Sequence, residues 1–212
     1  MKAYLFDFDG TLVDSMPTFC GIMTGILDEN GIAYGDDIIK IITPLGYGGT
    51  AQYFIESLGL KSTVDELRAL MNERAVHEYT YNVPAKNNVI EVLKELKSRG
   101  ADLNILTASP HTALDPCLKR LGIYKLFTNV WSCEDFKTTK ADPEIYRMAA
   151  KEIGLPVEEV LFLDDNYNAD KTAKSAGMAV CGVFDETSAE YVEEIKSVSD
   201  YYVYDFKELL DI

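Results

Sequence analysis

Short apolar runs alternate along the chain with stretches of helical period. The first run, Ala3-Tyr4-Leu5-Phe6, breaks off in Asp7-Phe8-Asp9-Gly10-Thr11 and reads as a strand stopped by glycine. From residue 15 to about residue 80 the pattern is almost wholly helical. Residues 15–30 carry Phe19, Ile22, Met23 and Ile26 at helical spacing, and short helices are expected over 36–42 and 50–58. Thr63-Val64-Asp65-Glu66 has the form of a capping box, opening a helix with Val64, Leu67, Leu70, Met71 and Ala75 on one face. The segment Thr43-Pro44-Leu45-Gly46-Tyr47-Gly48-Gly49 is too rich in glycine to be expected in regular structure.

From Pro84 onward helix and strand alternate. Helices are expected over 88–97, 112–121, 142–153, 169–176, 189–196 and 206–210, and strands over 103–107, 127–131, 160–163, 179–183 and 201–204. Asp142-Pro143 supplies a capping carboxylate followed by proline at the first helical position. Val160-Leu161-Phe162-Leu163 is continuously apolar, as a parallel strand buried on both faces should be. This grammar predicts an α/β protein with a doubly wound parallel sheet, built from residues 1–14 and 81–212. The helical block, 15–80, is an insertion after the first strand and reads as a small cap domain.

Composition narrows the class. A chain of 212 residues, 47% hydrophobic, suits one domain with a modest insertion. Thirty-five acidic against twenty basic residues leave a net charge of −15, which disfavours nucleic acid and anionic membranes as partners. No stretch approaches the length of a membrane span, and the N-terminus enters a strand directly, so the cytoplasm is the expected compartment. Cys20, Cys117, Cys133 and Cys181 show no ligand spacing, which argues against zinc and against a disulfide framework. The sequence is silent between a monomer and a small homo-oligomer.

In a doubly wound sheet, ligands bind beyond the carboxyl ends of the strands. The first strand ends in Asp7 and Asp9, two anions on one side that repel unless a cation lies between them or one holds a proton. The strand over 103–107 ends in Thr107, followed by Ala108-Ser109, and the strand over 160–163 ends in Asp164-Asp165. Lys140 precedes the Asp142-Pro143 helix start. Oxygen-only ligands select a hard cation, and a few carboxylates with retained waters suit Mg²⁺. A carboxylate beside a metal-bound phosphoryl group can attack phosphorus, while a second serves as acid and base. A hydroxyl and an ammonium can hold the phosphoryl oxygens. Asp164, Asn166, Asn168 and Asp170 mimic a calcium loop, but Ala169 and Ser175 stand where it needs glycine and an acid. His111 and Cys133 also fall near strand ends. Without a nucleophile-base partner, they read as packing or rim residues.

These motifs, D-F-D-G-T at 7–11, the strand ending in Thr107, K-A-D-P-E at 140–144 and L-D-D from Leu163, resemble those of the haloacid dehalogenase superfamily of phosphatases and phosphomutases. The resemblance runs over essentially the whole chain and implies a Rossmann-like core and a Mg²⁺ ion. It makes Asp7 the nucleophile and a metal ligand, and Asp9 the acid/base and a ligand through its carbonyl. Thr107 and Lys140 would bind the phosphoryl group, with Gly10, Thr11 and Ala108 around it. Asp165 would be the remaining metal ligand, with Asp164 beside it. The inserted helices are similar to the cap of the phosphoglycolate phosphatase and β-phosphoglucomutase group. The family's further acid usually falls where this chain has Ala169, so the role of Asp170 is open.

Asp9 argues against a dehalogenase, whose relatives lack the second aspartate. A mutase needs a cation for a distal phosphate, yet the glycine-rich loop has none, and Lys40 and Arg74 are the nearest in sequence. Hydrolysis of a small phosphate monoester, a phosphorylated metabolite held near Tyr47 and the loop amides of Gly46, Gly48 and Gly49, is therefore favoured over a sugar phosphomutase. A phospho-signalling receiver domain fits poorly, being shorter, uncapped and differently ordered.

Overall fold

The structure, a computed structural model, describes residues 2–212. It divides into two compact units, one of residues up to Ser15 with Val83–Ile212 and the other of Met16–Asn82. These limits lie one to two residues from the expected 14/15 and 80/81. No helix among the described residues is long and apolar enough to cross a membrane.

The smaller unit is helical: α1 (Met16–Glu29), α2 (Ile38–Ile42), α3 (Gly46–Glu56) and α4 (Val64–Tyr81). Its core gathers Met23, Ile26 and Leu27 of α1, Ile42, Phe54 of α3, and Leu67 and Met71 of α4. The capping box forms as expected, with Thr63 accepting from the Glu66 amide and Glu66 accepting from the Thr63 amide at 2.9 Å. The expected irregular loop does not form. Thr43–Leu45 is a 3-10 turn followed at once by α3, with Gly46 at φ +61° as the joint between them and Gly48 and Gly49 inside the helix. Glycine costs a helix about 1 kcal/mol per residue, but packing outweighs it here. Tyr47 stacks on Phe19 with ring centroids 5.9 Å apart, and Ala51 and Phe54 are buried. Gly49 is also sterically required, since a Cβ there would lie 2.9 Å from the Leu45 Cβ.

The larger unit is an α/β sandwich around six parallel strands, β1 (Ala3–Phe6), β2 (Asp102–Thr107), β3 (Asn129–Ser132), β4 (Val160–Asp164), β5 (Ala179–Val183) and β6 (Tyr201–Val203). Their order is β3-β2-β1-β4-β5-β6. Around them run α5 (Val89–Ser98), α6 (His111–Arg120), α7 (Cys133–Phe136), α8 (Pro143–Ile153), α9 (Tyr167–Ala176) and α10 (Val192–Val198). The helix expected over 189–196 is a 3-10 turn, Glu186–Tyr191, continued by α10, and the last expected helix is 3-10 throughout, Phe206–Asp211.

Both faces of the central strands are covered, which is why they read as unbroken apolar runs. Leu5 and Phe162 pack with Ile145, Tyr146 and Ala149 of α8, while Phe6 meets Phe127 and Phe206 on the other face. The chain leaves β1 to one side for β2 and to the other for β4, so the order reverses at β1. Such a switch point opens a crevice at the strand carboxyl ends.

Candidate active site

Parallel pairing in register brings the ends of β1 and β4 level. Phe6 lies opposite Leu163, and the Asp7 amide donates to the Leu163 carbonyl at 2.8 Å. Asp7, Asp164 and Asp165 each place a carboxylate oxygen within 4.8 Å of the others. Lys140, from the loop before α8, reaches between two of them. Its ammonium pairs with Asp7 and donates to Asp164 Oδ2 at 2.8 Å. Asp164 Oδ1 accepts from the Asn166 amide at 2.8 Å, so both Asp164 oxygens are engaged. Tyr146, on α8, holds the Lys140 loop: its hydroxyl lies 3.1 Å from the carbonyls of Lys140 and Ala169 and can donate to either.

These charges are nearly out of water, and their protonation reflects it. Burial, reinforced by repulsion from Asp164 and Asp9, pushes the Asp7 carboxyl up to about 7 in spite of Lys140. Burial disfavours the Lys140 charge, but Asp164 and Asp7 outweigh it and hold the ammonium well above its usual range. Asp165 is driven well above the carboxylate range by burial and then by Asp164 and Asp7.

The turn after β1 is fixed from two directions. Gly10 adopts φ +77°, and a Cβ there would lie 2.6 Å from the Asp165 carboxylate, so the backbone abuts that acid. Thr11 Oγ1 donates to Asp165 Oδ1 at 3.2 Å. From behind, the Lys86 ammonium donates to the carbonyls of Gly10 and Phe184, at 2.6 and 2.7 Å, and to Asp185 Oδ2 at 2.9 Å. Three acceptors saturate this ammonium.

Beyond β2, Thr107 Oγ1 accepts from the Ser109 amide at 3.0 Å, which leaves its hydroxyl proton to donate. Ser109 Oγ in turn donates to Asp9 Oδ2 at 2.5 Å. Ala108 is exposed and, with Cys133, Thr138, Thr139 and Lys140, lines a cleft of about 470 Å³. Cys133 is the buried first residue of α7. His111, expected as a packing or rim residue, has two carboxylate partners and, among the described residues, no nucleophile beside it. It is two-fifths exposed, but each ring nitrogen lies 2.9 Å from a carboxylate oxygen, Nδ1 from Asp115 and Nε2 from Asp135.

Asp7, Asp9, Gly10, Thr11, Thr107, Ala108, Lys140, Asp164 and Asp165 thus share one edge of the sheet. Tyr47 belongs to the helical unit, on α3 rather than in a loop, and Arg74 there is engaged by Glu29 at 2.5 Å. Arg68, which the sequence reading passed over, lies against Gly48. Lys86 and Tyr146 also escaped it, and Ser109 was noted only as a neighbour of Thr107.

Asp170 is fully buried on α9, and neither of its oxygens has a hydrogen-bond partner. Burial and the nearby Asp164 and Asp165 push its carboxyl well above the usual range. Four buried or half-buried acids therefore share a region whose cations, Lys140 and Lys86, are already engaged. The donors are all oxygens, so the residues fit a hard divalent cation.

Comparison with known proteins gives the family. The family model of haloacid dehalogenase-like hydrolases matches residues 1–177. The chain is 30% identical over 188 residues to a phosphoglycolate phosphatase from Mannheimia succiniciproducens, covering 84% of this chain and 83% of that protein. It is 30% identical over 185 residues to pyrophosphatase PpaX from Bacillus velezensis, covering 86% and 83%. The crystal structure of CbbY from Rhodobacter sphaeroides in complex with phosphate superposes with a TM-score of 0.80 at 20% identity, over 99% of this chain and 96% of that one. That likeness is one of fold. A family model that matches most of the length, with relatives 30% identical over more than four-fifths of both chains, means that the chain belongs to the haloacid dehalogenase-like hydrolases and is an enzyme.

Proposed function

We propose that the protein is a Mg²⁺-dependent phosphatase that hydrolyses a small phosphate monoester through a phosphoaspartate on Asp7. The observation that carries this reading is the Lys140 ammonium set between Asp7 and Asp164, beside Asp165. This is an arrangement that collects negative charge and supplies one cation to balance it.

Asp7, Asp165 and the Asp9 carbonyl would hold the ion, with Asp164 chiefly orienting Lys140, because both of its oxygens already accept hydrogen bonds. Bound there, Mg²⁺ supplies positive charge that draws in a phosphate and offsets the acids. An Asp7 oxygen attacks phosphorus as the bond to the leaving alcohol breaks, and the Asp9 carboxyl gives that alcohol its proton. The Asp9 carboxylate then takes a proton from water, whose oxygen attacks the same phosphorus. Inorganic phosphate leaves and Asp7 is regenerated. The Lys140 ammonium and the Thr107 hydroxyl bind phosphoryl oxygens throughout.

The names of the two relatives at 30% identity, phosphoglycolate phosphatase and pyrophosphatase, support hydrolysis of a small phosphorylated metabolite. The test is Mg²⁺-dependent hydrolysis of p-nitrophenyl phosphate by the wild type and by Asp7→Asn, followed by a panel of small phosphate esters. Activity that survives Asp7→Asn would overturn the nucleophile. Interconversion of hexose phosphates without phosphate release would move the reading to a phosphomutase.

A further inference from the structure

We propose that Ser109 is a positioning residue for the acid/base Asp9, coupling it to the phosphoryl-binding Thr107. The inference rests on the phosphatase reading and deepens it.

Ser109 uses both of its polar groups within the site. Its amide donates to Thr107 Oγ1 at 3.0 Å, and its hydroxyl donates to Asp9 Oδ2 at 2.5 Å across 100 residues of sequence. A hydroxyl donating to a carboxylate at this separation is a short, charge-assisted bond. It matters because of where Asp9 stands. The backbone of Asp7 is fixed by its amide hydrogen bond to the Leu163 carbonyl, and its carboxylate by Lys140. Asp9 lies two residues further, in the turn beyond β1, where an aspartate side chain swings about two torsions. The Ser109 bond at Oδ2 restrains both torsions and so limits the directions that the carboxylate can present.

The same residue registers that plane against Thr107. Thr107 is the last residue of β2, set by its pairing with Ser132 of β3. Through Ser109, the group that passes the proton and a group that grips the phosphoryl oxygens share one frame. Proton transfer needs the donor within hydrogen-bond reach of the leaving oxygen, and a misplacement near 1 Å costs about 100-fold.

The role separates from a merely structural one by leaving group. Phenoxide needs protonation as it departs, whereas 2,4-dinitrophenoxide does not. The value of kcat/KM reports events up to departure of the alcohol, and so isolates the acid step from later hydrolysis. In Ser109→Ala, kcat/KM for phenyl phosphate is expected to fall by about 10-fold, a fraction of the range for general acid catalysis, and that for 2,4-dinitrophenyl phosphate by less than about 2-fold. Ser109→Thr, which keeps the hydroxyl, should restore phenyl phosphate turnover, and both variants should unfold at the wild-type temperature. An equal loss on the two esters, or no loss on phenyl phosphate, overturns the proposal while leaving the phosphatase reading intact. Failure of Ser109→Thr to restore turnover in a folded variant also overturns it. Hydrolysis that survives Asp7→Asn strikes instead at the underlying reading.

Discussion

Lys86 donates a hydrogen bond to the backbone carbonyl of Gly10 at 2.6 Å, tying the turn that bears the acids to a residue 76 positions away. The same ammonium satisfies the Phe184 carbonyl and the buried Asp185. Lys86→Met would leave a buried carboxylate unpaired and two carbonyls without a donor. Breaking a buried pair from one side costs about 3 kcal/mol or more. Urea denaturation should show that loss, and turnover should fall beyond it because the Gly10 turn loses its anchor.

Gly10→Ala tests the close approach at the same turn. The new Cβ would meet the Asp165 carboxylate at 2.6 Å in a backbone conformation that costs a side chain about 1 kcal/mol. The variant is expected to fold and to need far more Mg²⁺ for half-maximal activity. A magnesium titration equal to that of the wild type would refute this.

Metal and pH should act together on stability. Asp165 and Asp170 bind their protons more tightly in the folded chain than in the unfolded one. Each therefore destabilises the metal-free protein as pH rises above the ordinary carboxylate value, and neither does so below it. With a chelator present, Asp170→Asn should melt above the wild type at pH 8 and level with it near pH 4. Added Mg²⁺ should raise the wild-type melting temperature, and Asp165→Asn should lose most of that increase. Thermal scans across pH with and without the metal check both outcomes.

His111 titrates in the opposite sense. Hydrogen bonds to Asp115 and then Asp135 raise its pKa above 6.5, because only the imidazolium donates from both nitrogens. Its clamp between α6 and α7 is complete below pH 6.5 and is lost as pH rises through the higher folded value. NMR titration should place the His111 midpoint above that of a free histidine, and Asp115→Asn should bring it down.

The acids, Thr107 and Lys140 were legible in the sequence because the strand-end rule needs only element order and residue type. The sheet edge does gather them. Lys86, Ser109 and Tyr146 were not legible as site residues. Each is an ordinary residue type, and each acts through a partner that only the fold supplies, as Ser109 does with Asp9 across 100 residues. Local grammar also failed over 47–49, the end of the 43–49 segment whose three glycines signalled a loop. The stacking of Tyr47 on Phe19 and the tight approach of Leu45 to Gly49 favour a helix, and neither contact is visible to propensity.

The pairing of β1 with β4 has a consequence for the order of events during synthesis. Thr11 and Asp165, in hydrogen-bond contact when folded, are separated by 154 residues. The helical unit is contiguous in sequence and can fold as it leaves the ribosome, whereas β1 must wait for β4 before its acids have neighbours. Mutual repulsion among the carboxylates is thus deferred until most of the chain has emerged. An ion that relieved it would need a site that is complete only once β4 has joined β1, so magnesium is expected to slow unfolding of the finished enzyme while leaving its folding rate almost unchanged.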